Sequence, residues 1–430
     1  MGYNRERMSE GIAGLMKCIV IGSGIAGAST AYHLAKLGAE TLIIDRKDKG
    51  QATDAAAGII CPWVSQRRNA VWYRLVRNGA RFYPGLIREL EELGETETGY
   101  SRVGALHLRQ DAEKLSALES LARKRKEDAP EIGEIDLCDE EMTLSQFPPL
   151  AEGSRSVRIS GAARVDGRAL RDALIRAAVK LGAHYREGNA ALAFEGNRVI
   201  GATIADAKPV HNGGDAAQDS LGSASGEGVI DPPETARWNH GSGSHPEQDR
   251  FVAADAVIVC AGAWAGPLLQ PLGITMRVSR QKAQIAHLRL QDRPDTGGWP
   301  VVMPPSDQYM LAFDGGKIVV GATHENDPDG DDTRVTAGGL QEILNKALVA
   351  APGLADAELV ETRIGFRPFT PGFLPVFGAV PGWEGLLTAN GLGSSGLTAG
   401  PYLGCQLALL ALGRRPELDP ADYGVRSAIE

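Results

Sequence analysis

Three groups of residues in this 430-residue chain have the types and spacing to do chemistry, and they lie far apart. Arg367 sits among apolar and rigid neighbours in Gly365-Phe366-Arg367-Pro368-Phe369-Thr370-Pro371-Gly372. A guanidinium withdrawn from water needs a carboxylate, either a structural Asp or Glu or one carried by a ligand. Tyr309 and His324 bound a segment whose Asp314-Gly315 centre is a strong hairpin turn, so the pattern makes them neighbours. They either line a polar pocket or are ordinary sheet residues. The third group is glycine-rich: Gly22-Ser23-Gly24-Ile25-Ala26-Gly27 near the start, and Gly393-Ser394-Ser395-Gly396-Leu397-Thr398 near the end. Each opens an apolar helical run. A helix N-terminus offers free N–H groups and about half a positive charge, so both runs point at something electron-rich. The second is no hydrolase elbow, since G-x-S-x-G does not occur there.

The elements around the first glycine run make it specific. Residues 18–21 read as a strand buried on both faces, residues 26–37 as a helix ended by Gly38, and residues 41–44 as a second buried strand. In such a unit Gly22 makes the tight turn, Gly24 lets a pyrophosphate approach the backbone, and Gly27 lets helix and strand lie close. The second strand delivers Asp45, 45 − 27 = 18 positions past the last glycine, where a carboxylate can accept both ribose hydroxyls and disfavours a 2′-phosphate. This is a dinucleotide-binding pattern. The small residues of 51–60 suit either a flat ligand packed on backbone or an alanine-rich helix start.

Further along, residues 69–94 carry a helical pattern with Pro84-Gly85 as a break or kink, 101–109 alternates as a strand, and 112–128 is a charged helix. Phe147-Pro148-Pro149-Leu150 reads as a crossing between domains. Asp166 is placed to cap a helix over 168–181, closed by Gly182 before a strand at 183–187. Residues 199–204 and 251–260 are strand-like, and the second runs into Ala261-Gly262-Ala263, a second close backbone approach in the same parallel sheet. From 282 onward, longer alternating segments at 282–289, 309–313 and 317–323 predict an antiparallel sheet in a second domain. Residues 205–250 lack apolar periodicity and read as a mobile surface insertion, with His240 and His245 as solvent-exposed histidines.

Composition narrows the function classes. With 54 acidic against 45 basic residues the net charge is −9, which lacks the basic footprint of a nucleic-acid binder. The five cysteines are dispersed and never form CxxC, so neither a disulfide framework nor a metal site is indicated. There is no run of 18 apolar residues and no signal-peptide core in the first 16, which predicts a cytoplasmic protein with a disordered leader over 1–15.

Taken together, these residues resemble the D-amino-acid oxidase family of FAD enzymes, in the branch holding glycine oxidase, sarcosine oxidase and bacterial D-amino-acid dehydrogenase. The resemblance spans 17–413 apart from the insertion. It rests on the first fingerprint, Thr53-Asp54-Ala55-Ala56-Ala57-Gly58, Ala261-Gly262-Ala263-Trp264, Gly321-Ala322-Thr323, Arg367-Pro368 with Thr370, and the closing glycine-rich helix start. It implies an α/β fold: a Rossmann-like FAD-binding domain over 16–98, 163–273 and 365–430, and an α+β substrate domain over 99–162 and 274–364 on a mixed, largely antiparallel sheet.

By that resemblance the ADP half of FAD falls on Gly22, Gly24, Ile25, Ala26, Gly27, Asp45 and Arg46. The ribityl chain and flavin fall on Ala52, Thr53, Ala57, Gly58 and Ile59, the adenine end on Ala191, and the flavin N1–C2=O edge on Gly393 to Thr398. Arg367 matches the arginine that pairs with the substrate carboxylate, flanked by Tyr309 and His324. The implied chemistry is hydride transfer from an amino acid's α-carbon to flavin N5, leaving an imine for water to hydrolyse, with few catalytic side chains. The implied substrate is an amino acid or amine of D-amino-acid, glycine or N-alkyl-glycine type. Gly365 stands near where sarcosine oxidase carries its flavin-linking cysteine, so the FAD is expected to be non-covalent. Val319 stands near its oxygen-activating lysine, so the acceptor is open between oxygen and a quinone or carrier; a dehydrogenase would add peripheral membrane contact, and oligomerisation is left open. Phe373 departs from the Thr-Pro-Asp-Gly pattern of dehydrogenase-like relatives, and Ser394 replaces an arginine of glycine oxidase. The alternatives are a flavoenzyme acting on 2-hydroxy acids, whose carboxylate Arg367 would hold equally well, and a flavin-bearing tRNA-modification module.

Overall fold

A computed structural model describes residues 15–205, 250–326, 328 and 330–430. The expected leader and insertion, with His240 and His245, fall outside the described residues except at their edges. The centre is a six-stranded sheet in the order Val376–Ala379, Leu386–Asn390, Ala256–Val259, Lys17–Ile21, Glu40–Asp45, His184–Glu187. All neighbours are parallel except the first pair. Side chains alternate across it: Cys18, Val20 and Ile43 join one core, and Ile19, Ile21, Leu42 and Ile44 join another. The first core lies under helices Ile25–Lys36, Gly167–Lys180 and Gly396–Ala411, and the second under the three-stranded sheet Asn189–Glu195, Arg198–Ala205 and Arg250–Ala253. Burial on both faces is why these strands read as unbroken apolar runs.

Residues 251–260 are therefore two strands rather than one. Arg250–Ala253 pairs with Arg198–Ala205, and Ala256–Val259 pairs with Lys17–Ile21. The changeover is held where Asp255 Oδ2 accepts Lys17 N at 2.7 Å. The helix Ala70–Glu92 runs on through Pro84, so of the expected break or kink the break does not occur. A helical proline costs about 3 kcal/mol, but Tyr83, Leu86, Ile87 and Leu90 are buried around it, and each such side chain contributes about 1.5–3 kcal/mol. Asp166 caps the helix Gly167–Lys180 through Arg168 N and Ala169 N, as its position predicted.

A nine-stranded sheet forms the second layer, largely antiparallel with one parallel pair, Val301–Met303 beside Ala105–Leu108. Its longest pairing sets Ser279–Arg289 against Glu358–Phe369, with Gln281 opposite Arg367. Helix Ala337–Ala350 covers the outer face. The Pro148-Pro149 cluster is not the crossing point. Phe147 and Leu150 are buried under this outer face, and the chain stays with the sheet through Ser156–Ile159 before pairing with Ala57–Ile60 from Ala163 onward. No helix among the described residues is long and apolar enough to cross a membrane.

Candidate functional site

Four parallel strands end at one opening. Ile21, Asp45, Cys260 and Asn390, at or just beyond their carboxyl ends, line a cavity of about 380 Å³, where ligands of open α/β sheets bind. Much of its wall is bare backbone: Gly22, Gly24, Ala261, Gly262, Gly393 and Gly396. Gly24 shows what the opening is for. A Cβ built there would meet nothing nearer than Thr53 Oγ1 at 3.5 Å, so the methyl would fill the space a pyrophosphate needs. At Gly27 the same atom would lie 1.8 Å from Gly22 O, so that glycine serves helix packing and does not line the cavity.

Two helix N-termini meet this opening. Gly24 has no side chain to cap Ile25–Lys36, although Thr53 Oγ1 accepts Ile25 N at 3.0 Å. Ser395 does not cap Gly396–Ala411 either, because its Oγ accepts the indole N–H of Trp72 at 3.1 Å. Burial pushes the Cys260 thiol up to about 12, which keeps it uncharged beside the space for a phosphate. These features fit FAD: amide-rich tips for its anionic parts, glycine backbone for close approach, and Arg46, Asn189, Ala190 and Ala191 at the far end.

The expected cofactor residues divide in two. Gly22, Gly24, Ile25, Ala26, Asp45, Arg46, Ala52, Thr53, Ala191, Ala261, Gly262, Gly393 and Gly396 line the cavity. Ala57, Gly58 and Ile59 lie in a strand paired with Ala163–Asp166. Thr398 Oγ1 donates to Ile59 O at 2.9 Å and Tyr83 donates to Leu397 O, so these residues seat the closing helix, while Ser394 is exposed. Asp45 is already engaged. Its Oδ2 accepts Ser23 N and Oγ at 2.6 and 2.8 Å, and its Oδ1 accepts Lys47 N and Gln51 Nε2 at 2.7 and 2.9 Å. A ribose would share this carboxylate with those donors. Pattern reasoning passed over Gln51 and Asn390; Asn390 donates to Gly262 O at 2.8 Å and accepts Gly391 N at 2.7 Å, joining two glycine turns. Its signal was its place just before Gly391.

The second cluster lies on the nine-stranded sheet. Arg367 Nη1 donates to Gln281 Oε1 at 3.1 Å, and no carboxylate among the described residues lies within 4.0 Å of it. Burial raises the Tyr309 phenol, and the adjacent Arg367 guanidinium opposes the rise. Burial and Arg367 lower the His324 imidazole, against the pull of Asp307, whose Oδ2 lies 3.5 Å from Nδ1. Lys346 bonds Asp307 at 3.0 Å and holds it ionised although burial works the other way. Strand pairing puts Tyr309 opposite Gly321, so His324 lies past the paired hairpin and meets Tyr309 through Arg367. None of the three lines the glycine-walled cavity itself. Asp307 and Gln281 carried no sequence signal, since only pairing and packing bring them to the cluster. Among the described residues no three His, Cys, Asp or Glu side chains are grouped to hold a metal ion.

Residues 17–410 match the model of the family DAO, described as FAD dependent oxidoreductase. An uncharacterized oxidoreductase of Bacillus subtilis, YurR, is 55% identical over 96% of this chain and 99% of its own length. A glycine oxidase of Pseudomonas aeruginosa is 27% identical over 95% of this chain and 98% of its own. Among solved structures, the iminodiacetate oxidase IdaA of Chelativorans sp. BNC1 superposes with a TM-score of 0.81 at 42% identity, covering 94% of this chain and 98% of that one.

Proposed function

The chain belongs to the DAO family of FAD dependent oxidoreductases, and on that premise we propose that it oxidises the C–N bond of an amino acid whose carboxylate is held by Arg367. The relatives named for glycine and iminodiacetate oxidation support that reaction type. The observation that carries the substrate reading is Arg367, a half-buried guanidinium without a carboxylate partner among the described residues, set beside a phenol and an imidazole.

FAD, when bound, supplies the acceptor for the two electrons that leave the substrate's α-carbon. The protein's part is position and protonation. Arg367 offers a planar fork of donors that fixes a carboxylate, and with it the α-carbon, in one orientation. Such fixing supplies up to roughly 7–11 kcal/mol of barrier lowering. The reacting amine must first be neutral. His324 is kept uncharged by burial and by Arg367, and with Nδ1 turned to Asp307 its Nε2 is the atom that accepts the ammonium proton. Tyr309 stays protonated and donates from its hydroxyl. Water then adds to the imine carbon and the C–N bond breaks, giving a 2-oxo acid and an amine.

The test is anaerobic bleaching of the yellow protein with D-amino acids, glycine, N-methylglycine, proline and 2-hydroxy acids. Bleaching by amines alone supports the proposal, and bleaching by hydroxy acids alone rejects it. Admitting oxygen afterwards, and then a quinone, identifies the acceptor.

A further inference from the structure

We propose that Arg67 is a second cation of the substrate site, so that the preferred substrate is an amino acid with two carboxylates, one at Arg367 and one at Arg67. This rests on the reading of Arg367 given above.

Arg67 lies in the loop before helix Ala70–Glu92, and it is fixed from two sides. Its Nη2 donates to Phe373 O at 2.5 Å, and its guanidinium carbon stands 4.7 Å from the centre of the Trp72 ring. Trp72 in turn donates to Ser395 at the tip of the closing helix. Phe373 closes the short turn Pro371–Phe373, four residues past the end of the strand that carries Arg367, and its backbone is left-handed, with φ 57°, a conformation an aromatic residue rarely adopts without compensation. That turn presents its carbonyl to Arg67. The Phe369 ring packs 5.3 Å from Phe373 and fills the space where a Cβ on Gly393 would sit. The loop before the long helix, the exit of the arginine strand and the closing helix tip thus meet at Arg67.

Charge is the second observation. Arg74, Arg168, Arg171 and Arg280 each have a carboxylate partner, whereas among the described residues neither Arg67 nor Arg367 has one within 4.0 Å. Arg67 is half-buried, and that burial lowers its pKa, so its charge is held partly out of water with a single carbonyl in its fork. A stacked, partly desolvated guanidinium with free N–H donors is a carboxylate or phosphate binder. One carboxylate at Arg367 leaves Arg67 uncompensated; a dicarboxylate answers both. Ser394, exposed at the same helix tip, supplies no cation, so Arg67 is the charge that this loop brings to the site.

The test uses the flavin-loaded protein and its Arg67→Met and Arg67→Lys variants. Affinity is read by calorimetry for two unreactive thioethers, thiodiacetate and (methylthio)acetate, and kcat/KM is read for N-carboxymethylglycine, D-aspartate and N-methylglycine. The expected result is a preference for the dicarboxylate over its monocarboxylate counterpart that falls about 10- to 100-fold in Arg67→Met and returns in part in Arg67→Lys. Preference for N-carboxymethylglycine puts the second carboxylate on the nitrogen substituent, and preference for D-aspartate puts it on the side chain; both support the proposal. An unchanged ratio in Arg67→Met, or no dicarboxylate preference in the parent protein, overturns it. Should the methionine variant lose its flavin, Arg67→Gln serves the same comparison. Neither failure touches the role of Arg367, which fails separately if monocarboxylate amines turn over equally well in Arg367→Met.

Discussion

Arg367 and His324 differ in what they owe to their surroundings. Arg367 is held by two neutral groups, Gln281 Oε1 and the Tyr309 hydroxyl, with no carboxylate within 4.0 Å among the described residues, so replacing it strands no buried carboxylate. Arg367→Met should therefore lower kcat/KM by about 100-fold or more, from loss of a bidentate charged contact, while the thermal midpoint barely moves. Equal losses in both would make it a structural arginine. His324 depends on its neighbours for its charge. Burial and Arg367 push its pKa down and Asp307 pushes it up. Asp307→Asn removes the upward push, while Lys346 keeps Glu342 as its partner at 2.8 Å, so the acid limb of kcat/KM should move to lower pH. A limb that stays in place, or moves to higher pH, would take His324 out of the proton path. The arginine could be singled out from its apolar neighbours alone. Asp307 could not, because nothing local distinguishes it from other surface acids until Lys346 and His324 close around it.

At the scale of elements, the opening strand–turn–helix has two glycines with different duties. Gly24→Ala places a methyl where the chain itself has room, so the protein should fold normally and purify with much less flavin. Gly27→Ala drives a methyl into Gly22 O and should compromise folding outright. Flavin content and thermal midpoint measured together separate the two; normal flavin in Gly24→Ala would mean the pyrophosphate lies elsewhere. The helices were legible because their signals are local: the Asp166 cap, the terminating glycines, the 3.6-residue apolar spacing. The errors arose where local signals conflict with packing. Pro84 is a strong local breaker overruled by the buried face around it, and Pro148-Pro149 marks a turn under a sheet that the chain does not yet leave.

Across the whole molecule, burial also sets the acid limit of stability. His33 and His107 are buried and lowered to about 3, chiefly by desolvation. Between the ordinary value near 6.5 and about 3, the unfolded chain binds protons that the folded chain does not, so stability falls as pH falls through that window. The slope is up to about 1.4 kcal/mol per pH unit per group. Replacing His33, whose Nε2 has no hydrogen-bond partner among the described residues, by Leu should flatten the acid limb in denaturant titrations. An unchanged limb would mean that the ring is hydrated and titrates normally.

By itself the sequence determined the dinucleotide fingerprint, the parallel core, the antiparallel second layer and the need of Arg367 for an anion, because each is written in neighbouring residues or in a short period. Only the tertiary structure decided what Asp45 is bonded to, which half of the closing glycine run faces the cavity and which half seats a helix, that Gln281 bonds Arg367 and Asp307 faces His324, and that Arg67 bonds Phe373 O. The reason is physical. A hydrogen bond or an unpaired charge is a relation between groups that meet only when strands hundreds of residues apart are paired, as Lys17–Ile21 is with Ala256–Val259, and no local pattern records that meeting.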